Sequence, residues 1–421
     1  MQLRKALFTE TRRVARRVHR GVSRCVGRFF SLQTGGTCSG PHHHTRKHKH
    51  MAIYDVVYED ARVRRHGPCR GFLFPFVSIV RFANTECSSA NSMNGTCLAR
   101  RECNNLNGTI TGTCATRRGR CCVVARSCGS TTNVNNTYFT SPGYPAAYAG
   151  GQACSMIVNR CNNNICQLRI DFLDLVLAQP DGDGNCITDS ISVTGGNTIV
   201  PLLCGDLTGQ TIFVDFNGNA AITIIITATL ATTFARRWNL KLIQLGCDCP
   251  GIAPNGCLQY YTGITGTINS FNYGTAANTA LSASLVTGTR QIVNTNYGIC
   301  IRMEAGYCAI QYAQVAGDIY SFTVTGDVEG ADNTVLGTAL GAVNNGNCVS
   351  DFVVIPNPIV AATNVAVGTD RFCGIGFVPV RTGAKPFVLY VVTNANEGPT
   401  ATTAPDIANR GFSLAYTQVA C

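Results

Sequence analysis

Histidine is absent from most of this chain: all seven lie within the first 66 residues. The rest has no imidazole, so it cannot by itself build a Ser-His-Asp or Cys-His catalytic arrangement or a His-ligated zinc. Charge is scarce too, at 14% of residues against the ~25% usual in globular domains. Long apolar runs are missing. The most apolar stretch, Ala220 to Ala231, is rich in threonine and falls short of the ~20 residues of a spanning helix. Its Ile and Thr content suits a buried strand. No Gly-x-Ser-x-Gly elbow, His-Glu-x-x-His helix or phosphate loop occurs. These absences point to a protein that is not an enzyme, and no catalytic residue is assigned.

Cysteine is abundant: 23 residues, twenty of them after residue 86. A zinc array would need repeated Cys-x2-Cys pairs or Cys/His sets. Here Cys247-Asp248-Cys249 is too tight and Cys121-Cys122 are adjacent. The cysteines therefore predict disulfides, an oxidising compartment and a secreted, extracellular protein. Three N-x-S/T sequons, at Asn94, Asn107 and Asn135, are candidate glycosylation sites in a glycoprotein. Residues 1–30 are Arg-studded without the apolar core of a secretory leader. That make-up also fits a mitochondrial transit peptide, against which the cysteines argue.

Basic charge is segregated. Residues 1–70 hold 16 of the 34 Lys and Arg and 4 of the 23 Asp and Glu, leaving 18 basic against 19 acidic residues in the remainder. The body is near neutral, and nothing in it suggests nucleic acid as a partner. Residues 1–70 read as a disordered basic, His-rich segment. Within it, His42 to His50 reads as a solvated tail, with metal or heparin binding as the sharper alternative.

Six cysteines between Cys87 and Cys122 mark a small stapled module over 71–127 with almost no core of its own. Six cysteines allow 15 pairings, and spacing alone does not choose among them. From residue 128 short alternating runs set in, such as Cys154–Val158, Gln167–Phe172, Thr211–Phe216, Ile222–Ile226 and Trp238–Ile243. A second set follows, including Ile299–Arg302, Phe352–Ile355, Phe387–Val392 and Phe412–Tyr416. Such spacing predicts an all-β chain of sandwiches. The same marks recur in the same order. Cys128, Ser141-Pro-Gly-Tyr-Pro145, Cys154, Cys186-Ile-Thr-Asp189 and Leu203-Cys204-Gly205 come first. Cys257, Gly266 to Tyr273, Cys300, Cys348-Val-Ser-Asp351 and Phe372-Cys373-Gly374 come second. This predicts a duplicated domain, at 128–246 and 247–421.

That order of marks resembles the CUB domain, an extracellular jelly-roll β-sandwich. The resemblance implies the pairs Cys128–Cys154, Cys186–Cys204, Cys257–Cys300 and Cys348–Cys373. Cys161 and Cys166 are additional and are expected to pair locally. Cys247, Cys249, Cys308 and Cys421 have no family template. The knot, with its closing Cys121-Cys122, is similar to the clip domains of arthropods, which implies Cys87–Cys121, Cys97–Cys114 and Cys103–Cys122. Together with Phe74 to Val80 and the closing Arg410 to Gln418, the arrangement resembles secreted arthropod CUB proteins.

Many CUB domains hold calcium through a Glu, the Asp after the third cysteine and a late Asp. Asp189 and Asp351 occupy the middle position. Val176 stands where the Glu would, the late position falls near Ala228-Thr229 or Asn394, and no clear Glu precedes Asp351. One carboxylate per site is too few, so no cofactor is expected and calcium is only a candidate. Asp181-Gly-Asp-Gly-Asn185 lacks the later Glu of an EF-hand loop and reads as an acidic turn. The resemblance implies a non-catalytic adhesion or recognition protein that binds an extracellular protein or glycan partner through its sandwich loops, without a membrane span. The alternatives are a structural matrix or cuticle protein and a regulator of a clip-type protease cascade.

Overall fold

The computed structural model describes residues 82–88, 93–230, 234–281, 287–325, 334–344, 347–395 and 409–421. The expectations for residues 1–70, including His42 to His50, and for Phe74 to Val80 lie outside the described residues.

The strand Ile222–Ala228 shows how the first sandwich forms. Ile222, Ile224, Ile226 and Ala228 are buried, while the three residues between them turn outward. Each isoleucine so buried contributes about 1.5–3 kcal/mol before chain entropy is subtracted. This strand pairs antiparallel with Cys154–Val158 and with Asp189–Thr194. Ser130–Thr132, parallel to Cys154–Val158, completes the sheet. In the facing sheet Arg237–Gly246 lies between Thr137–Thr140 and Ile165–Val176, and Thr211–Asp215 follows. Trp238, the single tryptophan, is fully buried. Tyr148 meets it edge-on at 5.3 Å and Phe139 lies 6.1 Å away.

The cysteine knot is built into this sandwich. Its strand Gly119–Arg126 pairs with Asn94–Leu98 and Thr109–Cys114, then runs parallel to Thr137–Thr140. One eight-stranded sheet thus passes through both. Apolar burial in the knot is small, centred on Leu98, Cys103, Cys122 and Val124. Disulfides Cys87–Cys121, Cys97–Cys114 and Cys103–Cys122 hold it. A Cβ at position 119 would lie 2.5 Å from the Cys97 sulfur, so only glycine lets this strand pass. A six-residue helix, Arg100–Asn105, completes the module.

The second sandwich packs two six-stranded sheets. One runs Cys257–Tyr261, Asn296–Ile301, Phe387–Val392, Phe352–Val354, Arg371–Gly374 and Ala342–Val343. The other centres on Gly411–Ala420, flanked by Thr265–Asn269 and Tyr307–Gln314. Phe322, Phe372, Phe377 and Phe412 cluster between them. Disulfides Cys128–Cys154, Cys186–Cys204, Cys257–Cys300, Cys308–Cys421 and Cys348–Cys373 pin the sandwiches, and Cys249 is also bonded.

One expected pair is not formed. Cys161 and Cys166 do not bond each other: Cys166 bonds Cys247, and Cys161 is an exposed free thiol. Strand register explains this. Ile165 stands opposite Gly246, which brings Cys247 alongside Cys166. Cys161 lies in the preceding turn, its amide donating to Gln244 Oε1 at 2.7 Å.

The two sandwiches meet over a packed junction. Phe213, Ile243 and Leu245 of the first join Cys249, Ala253, Cys257, Cys300 and Val388 in one buried cluster. Gln167 accepts from the Ala253 amide at 2.8 Å and donates to its carbonyl at 3.1 Å. Asn272 donates to Gln179 Oε1 and accepts from the Asp206 amide. Gly205 (φ 85°) leaves room for it, since a Cβ there would sit 2.1 Å from Asn272 Oδ1.

Candidate functional site

Asp189 begins its strand just after Cys186, and its side chain has no solvent exposure. Oδ2 accepts from Arg236 Nε at 2.7 Å and from the Ala178 amide at 2.9 Å. Arg236 is equally buried and donates through Nη1 to the Ala149 carbonyl at 2.9 Å. The next residue, Arg237, bridges Asp174 at 2.7 Å, and Tyr144 donates to the same carboxylate at 3.3 Å. Two consecutive arginines therefore pair with Asp189 and Asp174 at this end of the sandwich.

The calcium site implied by the resemblance does not fit these residues. Calcium takes six to eight oxygen ligands. Asp189 is already paired with a guanidinium, both side chains being fully buried, and Val176, Ala228 and Thr229 supply no carboxylate. Among the described residues no group of three His, Cys, Asp or Glu side chains could hold a metal. Arg236-Arg237 is the functional signal that the sequence reading passed over: two arginines in a charge-poor body, directly before the single tryptophan.

Asp351 is placed differently. It is 2% exposed. It accepts from Gln291 Nε2 at 3.1 Å and from the Asn394 amide at 2.7 Å. Burial pushes its pKa up to about 6, and the Asn394 amide opposes that rise. N–H donors on both carboxylate oxygens leave little for a cation, so these residues do not fit calcium either. Asp189 and Asp351 thus serve in two separate buried networks.

The Asp181 to Asn185 stretch closes on itself. Asp181 Oδ1 accepts from the amides of Asp183 at 3.0 Å and Asn185 at 2.7 Å. The turn's outer carbonyls, Gly182 and Gly184, accept from the Thr289 and Val293 amides of the second sandwich. It is a latch between sandwiches.

Two exposed apolar side chains flank the buried pair. Ile187 is 69% and Leu230 is 75% exposed. They border the Thr229 to Thr188 backbone hydrogen bond that joins their strands. Of the sequons, only Asn107-Gly108-Thr109 exposes both Asn and Thr. Asn135 Oδ1 is engaged by the Gln244 amide, and Thr96 and Thr137 are buried.

Comparison with protein-family models gives two matches: CUB domain over residues 128–241 and animal CUB domain over residues 254–419. Together they span about two thirds of the chain. No curated protein matches the sequence. Among solved structures, the CUB1-EGF-CUB2 domains of rat MASP-1 align with 68% of this chain and 99% of theirs, at 13% identity and a TM-score of 0.23. The MASP-1 CUB2 domain bound to Ca2+ aligns with 28% of this chain and 98% of its own, at 20% identity and a TM-score of 0.24. The extracellular region of zebrafish Gpr126/Adgrg6 covers 69% and 36%, at 13% identity and a TM-score of 0.25. With TM-scores this low, the assignment rests on the two family matches: the chain carries two CUB domains.

Two predictions follow from these carboxylates. Removing one partner of a buried ion pair leaves the other uncompensated, at a cost of about 3–5 kcal/mol. Arg236→Met is therefore expected to lower the stability of the first domain by that order in urea titrations. Millimolar calcium should leave the melting temperature of the unaltered protein in place, where a micromolar site would add about 4 kcal/mol. A calcium-dependent shift removed by Asp189→Ala would contradict this.

For Asp351 the folded pKa of about 6 exceeds the ordinary 3.8. Between those values the folded state holds a proton that the unfolded chain has lost. Stability therefore falls as pH rises from about 4 to 6, by roughly 3 kcal/mol at most. Asp351→Asn should flatten this pH dependence; because its Nδ2 would face one of the two N–H donors, the readout is the slope of the urea midpoint between about pH 4 and 7, not its level. An unchanged slope in the variant would contradict the assignment to Asp351.

Proposed function

We propose that this two-CUB chain is a secreted, non-catalytic recognition protein. Its first domain presents the loop end around Ile187 and Leu230 to an extracellular protein partner, without calcium. CUB domains are typically extracellular protein-interaction modules and generally non-catalytic. The observation that carries the reading is the buried Arg236–Asp189 pair at 2.7 Å. It fixes the loop end with a resident cation, so the exposed apolar pair is pre-arranged for contact. The disulfides support an oxidising compartment. The exposed sequon at Asn107 fits a glycan there. Among the described residues no helix is long and apolar enough to cross a membrane.

The knot favours a second reading. Its three disulfides, closing on Cys121-Cys122, keep the clip-like resemblance in view. A protein that regulates a clip-type protease cascade would present the knot together with the first domain.

The test is capture of defined extracellular proteins by the full chain, immobilised in calcium and in EDTA. Equal binding in both, lost in Ile187→Asp and Leu230→Asp variants that melt normally, is the expected result. Binding abolished by EDTA, or indifferent to both substitutions, would sink the reading.

A further inference from the structure

The junction between the two CUB domains opens on one side into a cleft of about 810 Å³. That lies within the ~300–1,000 Å³ of small-ligand sites. Its lining holds one charged group and no cation to offset it. The one carboxylate, Asp215, accepts from Gln167 Nε2 at 2.7 Å and Thr198 Oγ1 at 3.3 Å. Three exposed asparagines face the opening, Asn197 from the first domain and Asn255 and Asn296 from the second. Among the described residues none of their side chains is used by the fold in a hydrogen bond. Tyr390, 41% exposed, adds a phenol ring.

We infer that this cleft binds a neutral glycan. A free side-chain amide offers a donor and an acceptor side by side, which matches neighbouring hydroxyls on a sugar ring. An aromatic ring supplies an apolar face for the ring's C–H side and a polar tip for its rim. The lining offers no cation to an anionic ligand, which Asp215 would repel, and burying a ligand charge unmatched would be costly. A cation would meet only a carboxylate already engaged by two neutral donors. A peptide adding as a strand would need an open sheet edge. At the cleft the edge strand Thr211–Asp215 is already occupied: the Asp215 amide donates to Thr198 Oγ1 at 2.9 Å and its carbonyl accepts from the Asn197 amide at 2.9 Å. Because the walls come from both domains, the junction's rigidity is what keeps the site formed.

This inference rests on the recognition reading above but uses different residues, since neither Ile187 nor Leu230 lines the cleft. The experiment applies the full chain to an array of neutral (mannose-, galactose- and N-acetylglucosamine-terminated) and charged (sialylated, sulfated) oligosaccharides. Neutral members should bind. Tyr390→Ala and Asn296→Ala, each checked for unchanged melting, should weaken binding about tenfold or more. Absence of neutral binders, binding of charged members alone, or affinity unchanged in both variants overturns the inference. If protein capture persists and remains sensitive to Ile187→Asp while no glycan binds, the cleft inference fails alone. Loss of both activities fails both readings.

Discussion

Gln167 holds the junction on which the rest of the molecule depends. Its side chain completes both hydrogen bonds of the Ala253 backbone and also donates to Asp215. It does so at 1% exposure, where an unmet polar group would cost about 1–3 kcal/mol. Around it Phe213, Ile243 and Leu245 pack on the cysteine-rich start of the second domain. The Asp181 turn and Asn272 close the far side. From the segment Cys247 to Gly256, Cys249 and Ala253 are buried in that core, while most of the other residues are exposed. That core sets the walls of the cleft, and the knot's strand extends the first domain's sheet in the same continuous way.

The two domains treat the same position in opposite ways. Asp189 is ion-paired to a buried arginine, whereas Asp351 is held by neutral amides and carries a raised pKa. A guanidinium is a permanent cation that never dissociates into solvent. At Asp351 the second domain lacks that counter-charge, and burial raises the pKa of the carboxyl.

Much of the fold was legible in the sequence. The alternation in Ile222 to Ile226 marks a strand because one face is buried and the period is two, whereas Phe387 to Val392 is a short apolar run whose first residues are buried on both faces. Tyr307–Gln314 was passed over because its burial alternates only weakly, with Ile310 and Tyr312 the sole buried residues. The Cys166–Cys247 bond was illegible because the partners are 81 residues apart and meet only through strand register. Asp181 to Asn185 could be read as a turn but not as a latch, since its partners Thr289 and Val293 belong to another domain. The Arg236 pairing was hidden for the same reason: charge partners across a sandwich have no fixed spacing. The cleft had no sequence signature, being assembled from loops of both domains.

Scanning calorimetry of the full chain, unaltered and as Phe213→Ala, tests the welded junction most directly. Truncating a buried phenylalanine removes about 3–5 kcal/mol. The account predicts one cooperative transition for the paired CUB domains, which Phe213→Ala lowers and separates into two. Two independent transitions in the unaltered protein, one of them untouched by the substitution, would contradict it.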